Sequence, residues 1–196
     1  MNCKNDMGNA IFKLMLRQNL GCIARFHDYI DDALRATLID EDADSSGVDK
    51  AYLRINLEKH FPEKLRETSF LLMFGHLEEM LYLLWRDKNP RSVQQDGGYG
   101  IKKFKSYIKD ILGELGDNSA YSIIINAQEV RNALLHIAGR VPLSKHKDAL
   151  KRVAISHPDS YKIENDRIRI ELSGLLEFRN AISNLTEEIH NKSICT

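Results

Sequence analysis

One short segment, RNALLH at residues 131–136, brings together the side chains best suited to chemistry. Arg131 presents a planar fork of hydrogen-bond donors that fits the oxygens of a phosphate or carboxylate. His136 is of the residue type that takes up or releases a proton near neutral pH. Asn132 precedes His136 by four positions, and residues four apart on a helix are neighbours. An anion-binding group and a proton-transfer group therefore lie within two helical turns.

The helix that carries this segment is predicted over about Ser119 to Ala138. A capping sequence at residues 117–119 precedes it, and Gly139 and Pro142 follow it. At 100° per residue, one apolar stripe is expected to face the core of the fold. This stripe comprises Ile123, Ala127, Val130, Leu134 and Ile137.

A second apolar strip on the same helix is formed by Ile124 and Leu135. An apolar strip outside the core face predicts a second covering surface, either a neighbouring element of the same chain or a second subunit, and we expect a dimer interface there. Arg131 and His136 are about 140° apart around the helix axis, so one copy of the helix does not easily direct both side chains at one ligand. The spacing therefore favours a composite site between two copies of the chain.

The other elements are predicted mainly from apolar periodicity. Helices are expected over about residues 10–38, 49–60, 63–87, 101–115, 143–155 and 173–189, with an interruption at Pro62. Alternation about Asn165-Asp166 predicts a two-stranded hairpin. The expected fold is all-α: an antiparallel bundle of five to seven helices with a small β-hairpin near residues 161–172. Residues 1–196 are expected to form one domain, with an N-terminal helical extension at 1–48 and an acidic connector near 40–49.

Composition excludes several classes of protein. The chain has 28 basic and 28 acidic residues, which argues against a constitutively basic, histone-like binder. Its three scattered cysteines support neither a disulfide framework nor a zinc site, and no two histidines are closer than ten positions, so no metal site is expected. The first ten residues lack the apolar stretch of a signal peptide, and no apolar run approaches the roughly 18 residues that span a bilayer. We expect a cytoplasmic protein with no membrane association.

The pattern Arg-Asn-x-x-x-His, here RNALLH at 131–136 and followed by Ile-Ala-Gly-Arg, resembles that of the HEPN superfamily (higher eukaryotes and prokaryotes nucleotide-binding domains). Its position on a late helix of an all-α bundle, with a glycine shortly after it, strengthens the resemblance. The resemblance extends to the hairpin and last helix, and to the apolar central helix at 65–85. The first 50 residues carry no part of it.

This resemblance implies a metal-independent endoribonuclease that works as a homodimer on single-stranded RNA, such as tRNA or mRNA, in a toxin or anti-phage role. The RNA supplies its own nucleophile, the 2′-hydroxyl, so no cofactor is expected and the product is a 2′,3′-cyclic phosphate. His136 would transfer a proton, Arg131 would bind the phosphate oxygens, and Asn132 would orient His136 or the substrate. An antitoxin or other defence-system protein is an expected partner. A related toxin subfamily has a modified tyrosine two residues after the histidine; Ala138 stands there, which disfavours control by that modification.

Side chains outside the motif are weaker candidates. Basic residues that flank the motif helix are expected to follow an RNA backbone, although such residues often form only a solvated face. They are Arg140, Lys102, Lys103 and Lys105. Tyr99, Phe104 and Tyr107 are candidates for base stacking, although the spacing of Phe104 favours the core. Glu78 is a candidate assisting carboxylate, and His146 is expected to have only a surface or capping role.

Two alternatives to the ribonuclease remain. One is a catalytically inactive HEPN-like module that binds or regulates within a larger defence or toxin–antitoxin system. The other is a helical interaction protein in which Ile124 and Leu135 only assemble oligomers. The alternatives differ in the role they give to His136.

Overall fold

The computed structural model describes residues 3–42, 48–88 and 99–195, with side chains described over 11–39, 50–88 and 99–193. Half of the predicted connector at 40–49, namely residues 43–47, and most of the predicted loop at 89–100 lie outside the described residues. Seven α-helices and two strands are present in the described ranges, in agreement with the predicted all-α fold and its hairpin. They are α1 (Cys3–Asp42), α2 (Val48–Ile55), α3 (Phe61–Lys88), α4 (Lys105–Leu112), α5 (Ser119–Ile137), α6 (Lys147–Ser156), β1 (Tyr161–Glu164), β2 (Arg167–Ile170) and α7 (Leu172–Cys195).

Three predicted boundaries are wrong. A π-helical turn, Asn56–His60, joins α2 to α3 without the expected interruption at Pro62. The hydrogen bonds of a π-helix span five residues instead of four, and this wider turn accommodates the proline ring and its missing N–H. The helix predicted over 101–115 begins as a 3₁₀ turn, Gly100–Phe104, and ends at Leu112, because Gly113 adopts a positive φ of 83°. The helix predicted over 143–155 begins only at Lys147, after a 3₁₀ turn at Val141–Leu143.

Helix α3 is the centre of the bundle and packs against α1, α5, α7 and β2. Its apolar residues lie on several sides, as the sequence predicts for a central helix, and Phe70 and Phe74 are almost completely buried. Both rings contact Phe178 of α7, at centroid distances of 4.7 and 5.8 Å. Each such buried side chain contributes on the order of 2 kcal/mol to folding. None of the described helices combines the length and apolar character needed to span a bilayer.

The hairpin forms as predicted, with Tyr161 opposite Ile170 and Ile163 opposite Ile168. Its turn residues, Asn165 and Asp166, both have positive φ, 47° and 63°, as a two-residue hairpin turn requires. Two hydrogen bonds join the hairpin to the chain after α5 and fix where α5 ends. Ile168 N donates to Gly139 O at 2.9 Å and Val141 N donates to Asp166 O at 2.8 Å.

The N-terminal helix α1 packs on α3 and α7 through one face. Leu16 and Leu20 are buried in the common core. Phe12 stacks on His190 of α7 at a centroid distance of 4.2 Å. His76 of α3 is also buried, with its Nδ1 3.6 Å from Glu79 Oε2. Both histidines lie against α1, His190 through the ring of Phe12 and His76 through the backbone of Leu16.

These two histidines make the stability of the chain dependent on pH. Burial lowers the pKa of His76 and of His190 below the ordinary value of 6.5, and Lys13 adds to the effect at His190. At a pH below about 6.5 these two histidines are therefore protonated in the unfolded chain before they are protonated in the folded chain. The free energy of unfolding should accordingly fall as pH decreases from about 6.5 toward the folded-state pKa values.

We expect the loss of stability between pH 7.5 and 5.5 to be smaller in a His76→Gln/His190→Gln variant, since glutamine does not titrate. Urea unfolding at both pH values measures the difference for each protein. An equal loss in the variant and the wild type would show that these two side chains do not cause it.

Candidate functional site

A cleft of about 610 Å³ opens beside the C-terminal half of α5. Its volume is within the range of small-molecule and cofactor sites. The cleft is lined by Tyr99, Glu129, Arg131, Asn132, Ala133, His136, Ile137, Leu143, Ser144, Lys145 and His146. All three residues of the RNALLH motif that were predicted to carry chemistry therefore face one cleft in a single chain.

Arg131 is held at the inner wall of this cleft by three contacts. Its Nη1 donates to Asn132 Oδ1 at 3.1 Å. Its Nη2 lies 4.0 Å from Glu78 Oε2, and its guanidinium carbon lies 5.5 Å from the centre of the Phe74 ring. The bond to Asn132 draws the guanidinium around the helix toward the side of His136. Arg131 and His136 thus line one cleft of a single chain, and a composite site between two copies stays a prediction.

His136 lies on the last turn of α5 and its side chain is exposed in the cleft. The helix ends at the next residue because Ala138 and Gly139 adopt left-handed φ values of 49° and 76°. A Cβ at position 139 would also lie only 3.3 Å from Ile168 O of the hairpin. In addition, Arg167 Nη1 donates to Ala138 O at 2.7 Å. The hairpin therefore fixes the end of the helix that presents His136.

His146 is a site residue that the sequence analysis missed. It lies directly before α6 and lines the cleft, and its Nδ1 lies 3.4 Å from Oε2 of Glu129 on α5. Its backbone N–H donates to Ser144 Oγ at 3.0 Å, which shapes the loop at the cleft edge. A carboxylate beside Nδ1 favours a hydrogen on that atom and fixes the orientation of the ring. The cleft therefore contains two imidazoles, one from α5 and one from the loop before α6.

Gln128, also missed from the sequence, fixes another edge of the cleft. Its side chain is buried; Oε1 accepts from Ile101 N at 3.0 Å and Nε2 donates to Tyr99 O at 3.3 Å. Gly100 has a φ of 62°, and a Cβ there would lie 3.1 Å from Gln128 Oε1. These bonds place Tyr99, whose side chain is 87% exposed, at the cleft. Phe104 and Tyr107 are buried in the core, so Tyr99 is the aromatic of the three that is free to stack on a ligand.

The predicted flanking cations differ in where they lie. Lys102 Nζ is 3.3 Å from Glu129 Oε1, at the cleft wall. Lys103 lies over the Phe104 ring at 5.1 Å, and Lys105 is exposed at the start of α4. Arg140 is exposed and its backbone bridges to Arg167 of the hairpin. None of the predicted four lines the cleft: the side chain of Lys102 contacts Glu129, and the backbone of Arg140 is hydrogen-bonded to Ile137 and Leu143. The lysine that lines the cleft directly is Lys145.

The predicted position of Ile124 at a dimer interface is wrong. Its side chain has no exposed surface and belongs to the core. Helix α5 faces the core through a side that includes Ile124 and is therefore rotated relative to the predicted stripe. The reason is that both α3 and α7 pack on α5. Ile123 and Leu134 of the predicted stripe are accordingly only half-buried. Leu135 is 49% exposed, so its place at an interface stays a prediction.

The charges around the cleft favour an anionic ligand. Arg131 and Lys145 line it, whereas Glu129 is its one lining carboxylate and is near both Lys102 and His146. Comparison with protein-family models, curated proteins and solved structures finds no match.

Proposed function

We propose that this chain is a metal-independent endoribonuclease that cuts single-stranded RNA and leaves a 2′,3′-cyclic phosphate. The observation that carries the proposal is the arrangement of Arg131, His136 and His146 around one cleft. A guanidinium suits a phosphodiester, and two imidazoles provide the proton acceptor and proton donor that transesterification needs. Exposed Tyr99 at the cleft edge offers a surface for base stacking.

In this mechanism His136 takes the proton of the 2′-hydroxyl as its oxygen forms a bond to the adjacent phosphorus. His146, oriented by Glu129, gives a proton to the 5′-oxygen as the P–O5′ bond breaks. Arg131 donates to the non-bridging oxygens, where negative charge develops in the transition state. Glu78 positions Arg131 from behind, at 4.0 Å. Asn132, bonded to Arg131 at 3.1 Å, links the phosphate-binding group to the face that carries His136.

The biological role proposed is that of a cytoplasmic toxin or anti-phage defence nuclease, with an antitoxin or defence-system protein as partner. This part of the proposal comes from the resemblance of residues 131–136 to the HEPN motif. In the described chain, the motif residues are accompanied by the central helix and hairpin that the resemblance includes.

A non-catalytic module that binds RNA or another anion in the same cleft is the second candidate. It is favoured by the contacts of Arg131, which is only 24% exposed and is held by Glu78, Asn132 and Phe74. Such a side chain is positioned to bind, and binding alone needs no proton transfer.

Incubation of the purified chain with end-labelled single-stranded RNA in EDTA separates these candidates. Cleavage fragments from wild type support the nuclease. Saturable RNA binding without fragments, measured by fluorescence anisotropy on the same RNA, supports the binding module instead.

A further inference from the structure

The segment at residues 140–152 is strongly basic and adjoins the cleft. It contains five cations against one acid, Asp148. All five basic residues are exposed: Arg140, Lys145, Lys147, Lys151 and Arg152. Lys145 lines the cleft, and the last three of them lie on α6. The basic segment therefore leads out of the cleft and along this helix.

The cations of this segment have no anionic partner in the described chain. None of the five side chains forms an ion pair or a hydrogen bond with another described residue. The other basic segment near the cleft, at 102–109, is largely neutralised, because Lys102 pairs with Glu129 and Lys109 with Glu114. Uncompensated cations on one surface repel each other, and a polyanion that covers them relieves this repulsion.

The cations of α6 lie on one side of the helix. Leu150 and Val153 are buried and face the bundle. At 100° per residue, the exposed side spans about 140° of the circumference, with Ile155, itself 78% exposed, near its centre. The α6 surface, so defined, consists of Lys147, Asp148, Lys151, Arg152 and Ile155, all of them exposed.

The chemistry of the α6 surface fits the backbone of a single-stranded RNA. Helix α6 is about 15 Å long, so its three cations can contact successive phosphates. Ile155 offers an apolar contact to a base, whereas one isolated isoleucine is too small an apolar surface to hold a membrane. Continuity with the cleft through Lys145 favours RNA over an acidic protein, because a strand bound in the cleft must continue beyond it.

The position of His146 gives the bound strand a direction. In the proposed mechanism His146 protonates the 5′-oxygen of the nucleotide on the 3′ side of the cut, and it directly precedes Lys147, the first residue of α6. His136, which acts on the nucleotide on the 5′ side, lies on α5. We propose that the α6 surface binds the backbone of the about three or four nucleotides that follow the cut. The direction rests on the proposed function, whereas RNA binding by the surface does not.

The salt dependence of RNA affinity tests the surface without any cleavage. Fluorescence anisotropy measures Kd at several salt concentrations for a labelled, fully 2′-O-methylated RNA, which lacks the nucleophile. Lys147→Gln/Lys151→Gln/Arg152→Gln should weaken binding at least about tenfold at low salt. It should also reduce the slope of log Kd against log salt by about 2, because each phosphate contact with a single strand contributes about 0.7.

The matched control removes the same three charges from other helices. Arg35→Gln/Lys64→Gln/Lys192→Gln neutralises one arginine and two lysines that form ion pairs on α1, α3 and α7. Its salt slope should equal that of wild type, although its net charge equals that of the α6 variant. Circular dichroism verifies that both variants are folded.

The length of the strand on each side of the cut tests the direction. In a 2′-O-methylated strand with a single ribonucleotide, cleavage through the 2′-hydroxyl is confined to one bond. Shortening the 3′ side from about six nucleotides to one should lower kcat/KM of wild type at least about tenfold, but that of the α6 variant by less than about threefold. Shortening the 5′ side should affect the two proteins equally.

Three results would overturn the proposal. A wild type that binds no RNA, or equal salt slopes for wild type and the α6 variant, would show that RNA does not contact this surface and would leave it to an acidic protein. An α6 variant that is insensitive only to shortening of the 5′ side would reverse the direction. If no RNA is cut, the direction fails together with the proposed nuclease, whereas the salt slopes still decide whether the α6 surface binds RNA.

Discussion

Replacing His136 with alanine is expected to slow RNA cleavage by about 10²–10⁴-fold, the usual contribution of a positioned general base. The side chain is exposed in the cleft on the last turn of α5, so its removal leaves the core intact. RNA affinity should change by less than about threefold, because Arg131 and Lys145 remain to bind phosphate. Single-turnover cleavage and fluorescence anisotropy on one labelled RNA measure the two effects separately.

The matched control is His60→Ala. His60 is also exposed, but it lies on the π-helical turn before α3, outside the residues that line the cleft. The His60→Ala variant should cleave RNA at the wild-type rate. Equal cleavage by wild type and His136→Ala would contradict the catalytic role of this residue. A loss of RNA binding that matches the loss of rate would assign His136 to binding rather than to proton transfer.

Replacing His146 with alanine is expected to slow cleavage by a similar factor, about 10²–10⁴-fold, if it protonates the leaving 5′-oxygen. The loss should depend on the leaving group. In an RNA with sulfur in place of the scissile 5′-oxygen, the leaving thiolate needs no proton. His146→Ala should therefore cleave this RNA within about tenfold of the wild-type rate, whereas His136→Ala should remain slow.

The modified RNA distinguishes proton donation from a structural role. Substitution of a residue that only shaped the cleft would slow both substrates equally. A His146→Ala variant that is equally impaired on the oxygen and sulfur substrates would therefore contradict its role as the acid. If the sulfur-containing RNA instead restores cleavage by His136→Ala, then His136 is the proton donor and His146 is the proton acceptor.

The sequence predicts those parts of the fold that depend on local pattern. The hairpin follows from alternation around Asn165-Asp166, whose side chains tolerate positive φ. Helix α5 begins where Asn118 Oδ1 accepts from Tyr121 N at 2.9 Å, as the capping sequence predicts. The sequence predicts a helix that continues to residue 115, directly before Gly116, whereas α4 ends at Leu112, directly before Gly113. Either glycine can terminate a helix, and periodicity alone does not choose between them.

The candidate site was only partly predictable, for a different reason. Arg131 and His136 belong to one short motif, and such a motif is visible in the sequence. His146 and Gln128 reach the site through contacts between elements distant in sequence, to Glu129 and to residues 99–101. The ten-residue spacing between His136 and His146 was a signal, but it suggests a pair only once a turn at Val141–Leu143 is known to reverse the chain.

The error at Ile124 has the same origin. Helical periodicity identifies two apolar strips on α5 but not which neighbours cover them. Because α3 and α7 pack on α5 together, Ile124 joins the core. The expected homodimer stays a prediction, with Leu135 still exposed on α5.

The chemical nature of the cleavage products tests the central claim most directly. Single-stranded RNA is incubated with the purified chain in EDTA, and the fragment ends are identified by mass spectrometry. We expect 2′,3′-cyclic phosphate and 5′-hydroxyl ends, and no cleavage where the nucleotide on the 5′ side of the cut is 2′-deoxy. Fragments with 3′-hydroxyl and 5′-phosphate ends, or cleavage at the deoxy position, would contradict the account, because the 2′-hydroxyl would then not be the nucleophile.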